Sequence, residues 1–237
     1  MSFLNAEWRK LTIANYIIKP EVLQKYVPAG TELDLWRGQC YISLVGFMFK
    51  NTKLMGMKIP FHSDFEEVNL RFYVKRLEDG EWRRGVVFIK EIVPKPALTL
   101  VANVVYKEHY ETLSMRHKWA KKDSHQEIEY QWKKNNLWHT FNVTTVLDAT
   151  SIEEESITEF ITEHYWGYAK VANGITNEYE VRHPKWQQYK VLDSRIEVDF
   201  AAVYGSEFDF LSDQKPDTVM LAEGSEISVE NKKTIRL

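Results

Sequence analysis

The sequence predicts a mostly β protein: a single-domain antiparallel β-barrel or cone, decorated by two or three short helices. Three observations support this prediction. Aromatic residues make up 14% of the 237 residues, and wide rings suit the pleated faces of sheets. Many segments alternate apolar and polar side chains with a period of two. The chain lacks both the strand–helix alternation of parallel βαβ units and any glycine- or serine-rich linker.

Composition excludes several classes of protein. Hydrophobic residues are 44% and charged residues 27%, which is typical of a globular domain with a core. The net charge of −3 is spread along the chain, so no basic surface for nucleic acid or an anionic membrane is expected. No apolar stretch has the length of a signal peptide or a membrane span, and the single Cys40 cannot form an intrachain disulfide. We therefore expect a cytoplasmic protein, with self-association left open.

The first half of the chain contains one predicted helix and five predicted strands. Pro20 is suited to the first position of a short helix, which ends before Gly30. A hairpin turn is predicted at 78–81. The irregular segment 51–64 is expected to form a flap. The predicted strands are 32–36, 39–49, 65–75, 85–93 and 98–106.

The second half continues the pattern, and the core of the domain is expected to span about 8–205. Ser156 and Glu159 form a capping-box pattern, which predicts a short helix. The basic run 116–122 predicts a solvated loop. The polar tail 212–237 is expected to be loosely ordered. The predicted strands here are 125–133, 138–147, 177–183 and 188–203.

The most informative stretch is 65–75, which has two different faces. One face is apolar, and the other is polar and carries three charges. The apolar face is expected to pack on a core, so the polar face meets either water, with cross-strand ion pairs, or a polar cavity. In a cavity, Arg71 could bind a ligand carboxylate while Glu67 holds the guanidinium or moves a proton. The polar face comprises Glu67, Asn69, Arg71, Tyr73 and Lys75; the apolar face comprises Val68, Leu70, Phe72 and Val74.

Other candidates lie on neighbouring elements. Lys90 shares its strand parity with apolar residues, so it is either an amine at a rim or a buried nucleophile with a depressed pKa. His109 with Tyr110, and His183 with Trp186, are the best histidine candidates, either as site residues or as hydrogen-bonded structural residues. Tyr165, Trp166 and Tyr168 would either pack the short helix on the barrel or form a wall or lid of the pocket. No pattern of metal ligands and no phosphate-binding loop occurs in the sequence, so neither a metal nor a cofactor is expected.

Five segments together resemble a known family. They are Phe65–Tyr73, Arg84–Phe88, Leu100–Tyr110, Phe160–Tyr168 and Val181–Trp186. In order and spacing they are similar to the uncharacterised YqjF-like family (domain of unknown function 2071), which is related in fold to acetoacetate decarboxylase. The resemblance spans roughly residues 8–205. It implies a barrel or cone-shaped sheet around a small-molecule cavity, in which Glu67 corresponds to a cavity glutamate of the decarboxylase.

The catalytic lysine pair of the decarboxylase does not carry over. The resemblance places Tyr110 where that enzyme has the first lysine, and His109 where it has the preceding proline. Asn103 stands where the YqjF-like family usually has arginine. The adjacent lysines of this chain, Lys121 and Lys122, lie in a polar segment without apolar neighbours that would lower their pKa. Decarboxylation through an imine is therefore disfavoured.

Three functions stay open at this point. The first is binding of a small organic carboxylate or carbonyl compound. The second is a lyase- or decarboxylase-like enzyme that uses Glu67 as acid or base, together with Lys90. The third is a structural domain with a filled barrel and no ligand. In the first, the polar floor is Glu67, Asn69 and Arg71, and the surrounding residues are Tyr73, Asn103, His109, Tyr110, Tyr165, His183 and Trp186.

Overall fold

The computed structural model describes residues 2–237 and contains fifteen strands in one mixed sheet, with few short helices. The strands are β1 (Leu4–Ile17), β2 (Glu32–Leu33), β3 (Tyr41–Leu54), β4 (Met57–Lys58), β5 (Phe65–Glu78), β6 (Glu81–Val93), β7 (Tyr110–Thr112), β8 (Ser114–Lys121), β9 (Gln126–Lys134), β10 (Leu137–Ser151), β11 (Trp166–Ala172), β12 (Ile175–Arg182), β13 (Gln187–Glu197), β14 (Thr218–Val229) and β15 (Lys233–Arg236). The α-helices are α1 (Pro20–Leu23), α2 (Pro96–Val101), α3 (Ile157–Thr162) and α4 (Phe200–Tyr204).

Seven strands close into a ring. Their order is β12-β11-β6-β5-β3-β1-β14, and β14 returns to β12 through the pair Val181 and Val229. The predicted fold class, a mostly β barrel-like sheet with short helices, is confirmed. Antiparallel pairing dominates, but β6 pairs in parallel with both β11 and β7, so the sheet is mixed.

The remaining long strands form a layer outside the ring. From β14 the sheet continues through β13, β10 and β9 to β8. Apolar side chains of β9 and β10, including Trp132 and Phe141, pack in one core with Leu70 and Phe72 of β5. A second core lies within the ring and includes Phe47 together with Phe160 of α3. Strand β5 therefore stands between two buried regions, which explains why both of its faces are buried.

Both predicted helix starts are confirmed. Pro20 is at the first turn of α1. Ser156 is the N-cap of α3, since its hydroxyl accepts a hydrogen bond of 3.1 Å from the backbone N–H of Glu159. The Glu159 carboxylate accepts its own bond of 2.8 Å from the N–H of Glu155 rather than from that of Ser156, so half of the capping box forms. In the predicted flap, β3 continues to Leu54 and forms a short hairpin with β4, after which the chain is irregular up to β5.

Four expectations about secondary structure are wrong. The segment 98–106 is helical: α2 continues into a π-helical turn, Ala102–Tyr106. The strand predicted to end at 203 stops at Glu197, and the Asp199 carboxylate caps α4 instead. The basic run 116–122 is mostly the exposed edge strand β8, where charged side chains discourage edge-to-edge pairing. The tail beyond 212 contains β14, which pairs with β1 over most of its length and completes the ring.

Replacing Gly224 by alanine is expected to destabilise the ring. Gly224 has φ +82°, and an added Cβ would lie 2.0 Å from the carbonyl oxygen of Trp8 on β1. We expect a loss of about 2 kcal/mol or more in the free energy of unfolding, measured by urea denaturation. Gly80→Ala is the matched control: its φ is +83°, but nothing lies within 4 Å of the new atom. Equal losses for both variants would show that the contact with Trp8 is unimportant.

Candidate functional site

A cavity of about 160 Å³ lies inside the ring. Its wall is formed by β1, β3, β5, β6, β11, β12 and β14, together with α2 and the segment that follows it. An apolar cavity of roughly 150 Å³ can hold a benzene-sized molecule, so this space suits a small organic ligand. Most of the wall is aliphatic or aromatic, including Phe47, Phe49, Phe65, Phe88 and Leu98.

The polar face of β5 is directed into this cavity. Glu67, Asn69 and Arg71 all belong to its wall, whereas the apolar face of β5 packs on the outer core. Asn69 donates a hydrogen bond of 2.9 Å from Nδ2 to Oε1 of Glu67. The Tyr110 hydroxyl donates one of 3.3 Å to Oε2 of the same carboxyl. Tyr73, on the same face, is buried elsewhere, with its hydroxyl 2.7 Å from that of Ser43.

A β-bulge in β6 decides which of its side chains faces the cavity. Leu70 pairs with Lys90 but Arg71 pairs with Phe88, so Ile89 is an extra residue. The alternation is shifted at this point, and both Phe88 and Glu91 line the cavity.

Lys90 is consequently directed away from the cavity. Its ammonium group contacts Glu111 at 3.0 Å and the carbonyl oxygen of Val203 at 2.5 Å. The prediction that Lys90 shares the face of Phe88 is therefore wrong, because that parity argument assumed an unbroken strand. No lysine occurs in the cavity wall formed by residues 2–237.

Three carboxyl groups and one arginine line the same cavity. Burial raises the pKa of Glu67 to about 7. Hydrogen bonds from Asn69 and Tyr110 and the charge of Arg71 lower this pKa, but burial has the larger effect. Burial likewise raises the pKa of Glu108 to about 7. Burial, with the neighbouring charges of Glu108 and Glu67, raises the pKa of Glu91 well above its ordinary value. These groups therefore keep protons that a solvated glutamate releases near pH 4.5.

Glu108 enters the cavity at the end of the helical segment. Lys107 has φ +63°, a left-handed conformation that ends the π-helical turn. Beyond it, the Glu108 carboxylate accepts a hydrogen bond of 2.7 Å from the hydroxyl of Tyr179 on β12. Glu108 and Tyr179 both line the cavity, and neither was predicted to do so.

His164 also belongs to the cavity wall. Its Nε2 lies 3.1 Å from Oδ2 of Asp34, which accepts a second hydrogen bond of 2.7 Å from Arg84. Burial lowers the pKa of His164 to about 4, with a further contribution from the charge of Arg84, so the ring is neutral near pH 7. A neutral imidazole that donates through Nε2 keeps a lone pair on Nδ1, and this atom has no partner in the described residues.

Unpaired polar atoms concentrate around the cavity. Nine buried side-chain nitrogen or oxygen atoms in the described part of the chain lack a hydrogen-bond partner. Five of them belong to residues that line the cavity, although buried polar groups are normally paired. The five are Trp8 Nε1, Asn69 Oδ1, Arg71 Nε, Glu91 Oε2 and His164 Nδ1.

Several predicted residues lie outside the cavity wall. Asn103 forms two hydrogen bonds with the backbone of Tyr110 and so positions that residue. His109 is exposed in a separate surface pocket. His183 stacks on Trp186 with 4.2 Å between ring centres, and the ring centre of Tyr165 lies 4.6 Å from that of His183 in a tilted contact. The structure therefore brings Glu67, Asn69, Arg71 and Tyr110 together in the cavity wall. Besides Tyr73 and Lys90, the predicted residues that lie outside this wall are Asn103, His109, Tyr165, His183 and Trp186.

The residues that sequence reasoning missed are Glu91, Glu108, His164 and Tyr179. The sequence indicated Glu91 only as a glutamate within an apolar strand. Because the bulge cannot be read from the sequence, the side of the sheet on which the Glu91 side chain lies could not be predicted. The other three come from distant segments, so no local pattern links them.

Within residues 2–237, no cluster of three or more histidine, cysteine or acidic side chains could hold a metal ion. None of the helices in this range is long and apolar enough to cross a membrane.

Comparison with solved structures reveals the same fold in several proteins. Acetoacetate decarboxylase from Legionella pneumophila superposes with a TM-score of 0.65 over 98% of this chain and 86% of that protein, at 10% identity. An acetoacetate decarboxylase-like enzyme from Sphingomonas wittichii RW1 gives 0.66 over 100% and 94%, at 9% identity. The enduracididine biosynthesis enzyme MppR, in complex with pyruvate, gives 0.65 over 99% and 91%, at 10% identity. At such identities these similarities show the fold alone.

Sequence comparison leads to a family. The uncharacterized protein YqjF of Bacillus subtilis (strain 168) is 26% identical over 183 residues, which are 76% of this chain and 72% of YqjF. The model of DUF2071, described as an uncharacterized conserved protein (COG2071), matches residues 5–226. Because this match covers most of the 237 residues of the chain, the chain belongs to the DUF2071 family.

Proposed function

We propose that this protein binds a small organic molecule bearing a carboxylate or carbonyl group in the cavity of the ring. The observation that best supports this proposal is the buried and unpaired state of Arg71. Its side chain is 8% exposed, forms no ion pair with any of the residues 2–237, and has an unpartnered Nε. No carboxylate of the described residues bonds this guanidinium directly, although the charges of Glu67 and Glu91 act on it within the cavity. A ligand carboxylate would supply two parallel hydrogen bonds.

Two further observations support the proposal. The cavity has room for a ligand, which is evidence against a filled, purely structural barrel. MppR, a protein of the same fold, was solved with pyruvate, a small keto acid. The partners of Arg71 would then be the ligand oxygens, with the protonated Glu67 as an additional hydrogen-bond donor.

Arg71→Gln is expected to abolish stabilisation by carboxylates. In a thermal-shift screen of small carboxylic and keto acids, wild-type protein should show a ligand-dependent rise in Tm, which reports binding to the folded state. A ligand at one hundred times its Kd adds about 2.7 kcal/mol, and the variant should lose this increment. Lys75→Gln, a loss of positive charge on the same strand but outside the cavity wall, is the control. Shifts that persist in Arg71→Gln would refute the proposed role of Arg71.

A second candidate function is proton transfer by Glu67. Its pKa of about 7 suits a general acid or base at neutral pH. The reaction would be hydrogen exchange or elimination next to the carbonyl of a bound keto acid. Imine chemistry is disfavoured, since no lysine occurs in the cavity wall formed by residues 2–237. Keto acids incubated with the protein in D₂O would show enzyme-dependent deuterium uptake by NMR; uptake that is unchanged in Glu67→Gln would refute this role.

A further inference from the structure

The cavity has a polar side and an apolar side. The carboxyls of Glu67, Glu91 and Glu108 and the guanidinium of Arg71 come from β5, β6 and the segment before β7. They form one cluster, because the charge of Glu91 interacts with those of Glu67, Glu108 and Arg71.

The facing side has no ionisable group. The residues that β1, β3 and β14 contribute to the wall are apolar or aromatic, among them Leu11, Phe47, Phe49, Leu54 and Val229. A ligand whose head group is on Arg71 must therefore place the rest of its structure against hydrocarbon. A second charge at that end would be desolvated without an ion-pair partner, since the polar atom that β1 offers there is the single N–H of Trp8 Nε1, and this is unfavourable.

The polar side contains more acids than bases. Three carboxyls face a single cation, and a ligand carboxylate on Arg71 adds a fourth acid to a site shielded from water. Like charges so close together cannot all be ionised, so the glutamates must be protonated when the anion is present.

The other groups facing this cluster bring no positive charge. Tyr110, Tyr179 and Tyr106 supply hydroxyl groups, and His164 is neutral because burial lowers its pKa to about 4. Lys90, the nearest cation of β6, is paired with Glu111 outside the cavity. Compensation of the ligand's charge therefore has to come from protons.

We propose that the cavity takes a monocarboxylate with an apolar body, and that one proton enters the site together with it. The volume suits a body of about six carbons, the size of benzene. This inference rests on the proposed function, because it requires the ligand carboxylate to bind Arg71.

A series of six-carbon compounds tests the ligand class. Hexanoate, adipate and hexylamine share a chain and differ only in their end groups, and their binding can be measured by isothermal titration calorimetry. We expect hexanoate to bind at least about tenfold more tightly than adipate or hexylamine. Equal or tighter binding of adipate or hexylamine would overturn the inference. If hexanoate fails while pyruvate binds in an Arg71-dependent manner, the inference is wrong and the proposed function stands. If no carboxylate binds, both fail.

Proton uptake can be measured directly. Hexanoate is fully ionised at pH 8, so it brings no proton of its own, and mixing it with protein in unbuffered salt solution should raise the pH. We expect about one proton per bound hexanoate, and an affinity that falls about tenfold per pH unit above pH 8. Zero uptake with saturable binding would overturn the inference.

A matched pair of variants locates the proton acceptor. Glu67→Gln should reduce the uptake by more than half, because Glu67 has a pKa of about 7 and is therefore mostly ionised at pH 8 before the ligand binds. Glu66→Gln should retain the full uptake, since Glu66 contacts His117 and is absent from the cavity wall. The measurement on wild-type protein decides the proposal even if Glu67→Gln fails to fold. Unchanged uptake in a folded Glu91→Gln, Glu67→Gln and Glu108→Gln would refute the cluster as acceptor.

Discussion

Glu67→Gln is expected to become more stable relative to wild type, by about 3 kcal/mol, as the pH rises from 5 to 8. Burial raises the pKa of Glu67 from 4.5 to about 7 in the folded protein. The unfolded chain releases this proton near pH 4.5, whereas the folded protein retains it up to about pH 7. Between these values the folded state binds more protons, so wild-type stability falls as the pH rises. A change of 2.5 pKa units corresponds to about 3 kcal/mol.

The comparison with wild type is essential because buried histidines have the opposite effect. Burial lowers the pKa of His164 and that of His183 to about 4. Both rings are protonated in the unfolded chain below about pH 6.5 but stay neutral in the folded protein, so their contribution to stability increases from pH 4 to 6.5. These contributions cancel in the difference between variant and wild type.

Urea denaturation at pH 5, 6.5 and 8 would measure this effect. Glu111→Gln is the control, since the hydrogen bonds and charges of Lys134 and Lys90 together outweigh burial and lower the pKa of Glu111. Its carboxyl is ionised in both states across this range, so the difference from wild type should stay constant. A constant difference for Glu67→Gln would contradict the raised pKa and, with it, the role of Glu67 as a proton carrier near pH 7.

Glu178→Gln is expected to destabilise the fold by about 3 kcal/mol. Glu178 is 1% exposed and joins β12 to the hairpin of β5 and β6. Its two carboxylate oxygens contact Arg76 at 3.1 Å and Arg83 at 2.9 Å. Removing one partner of a buried pair is costly because the remaining charges lose their compensation, although both arginines are also close to Glu78.

The same strand offers a matched control for this change. Glu180, two residues further along β12, pairs at 2.8 Å with Arg182, whose side chain is 64% exposed. Glu180→Gln should cost less than about 1 kcal/mol, because exposed ion pairs are weak. The two midpoints of urea denaturation give the comparison. Similar losses of stability for Glu178→Gln and Glu180→Gln would mean that burial does not make the fold depend more strongly on the Glu178 carboxylate.

The sequence predicted the site only where the information was local. Period-two alternation in β5 separated a polar face from an apolar one, and Glu67 and Arg71 did reach a common cavity. The same argument failed for Lys90, because one extra residue at Ile89 reverses the alternation. A bulge depends on how two strands pair, and pairing is not written into either strand alone.

The segment 98–106 was predicted as a strand but is helical, because its apolar residues are compatible with either structure. The residues of 98–106 that line the cavity, Leu98, Val101, Ala102 and Tyr106, follow helical spacing, and Pro96 occupies the first turn. Strand propensity suggested otherwise because the run contains several β-branched residues. Packing over the cavity, rather than propensity, selected the helix.

By itself, the sequence determined the β-rich class, the two-faced strand β5 and the caps of the short helices, because each depends on neighbours a few residues apart. Only the tertiary structure decided that β14 closes the ring, that Glu91 and Glu108 share a cavity with Glu67 and Arg71, and that His183 stays outside it. Those results depend on contacts between segments far apart in the chain. The raised pKa values of the glutamates follow from the same cause, since burial exists only once the ring has closed.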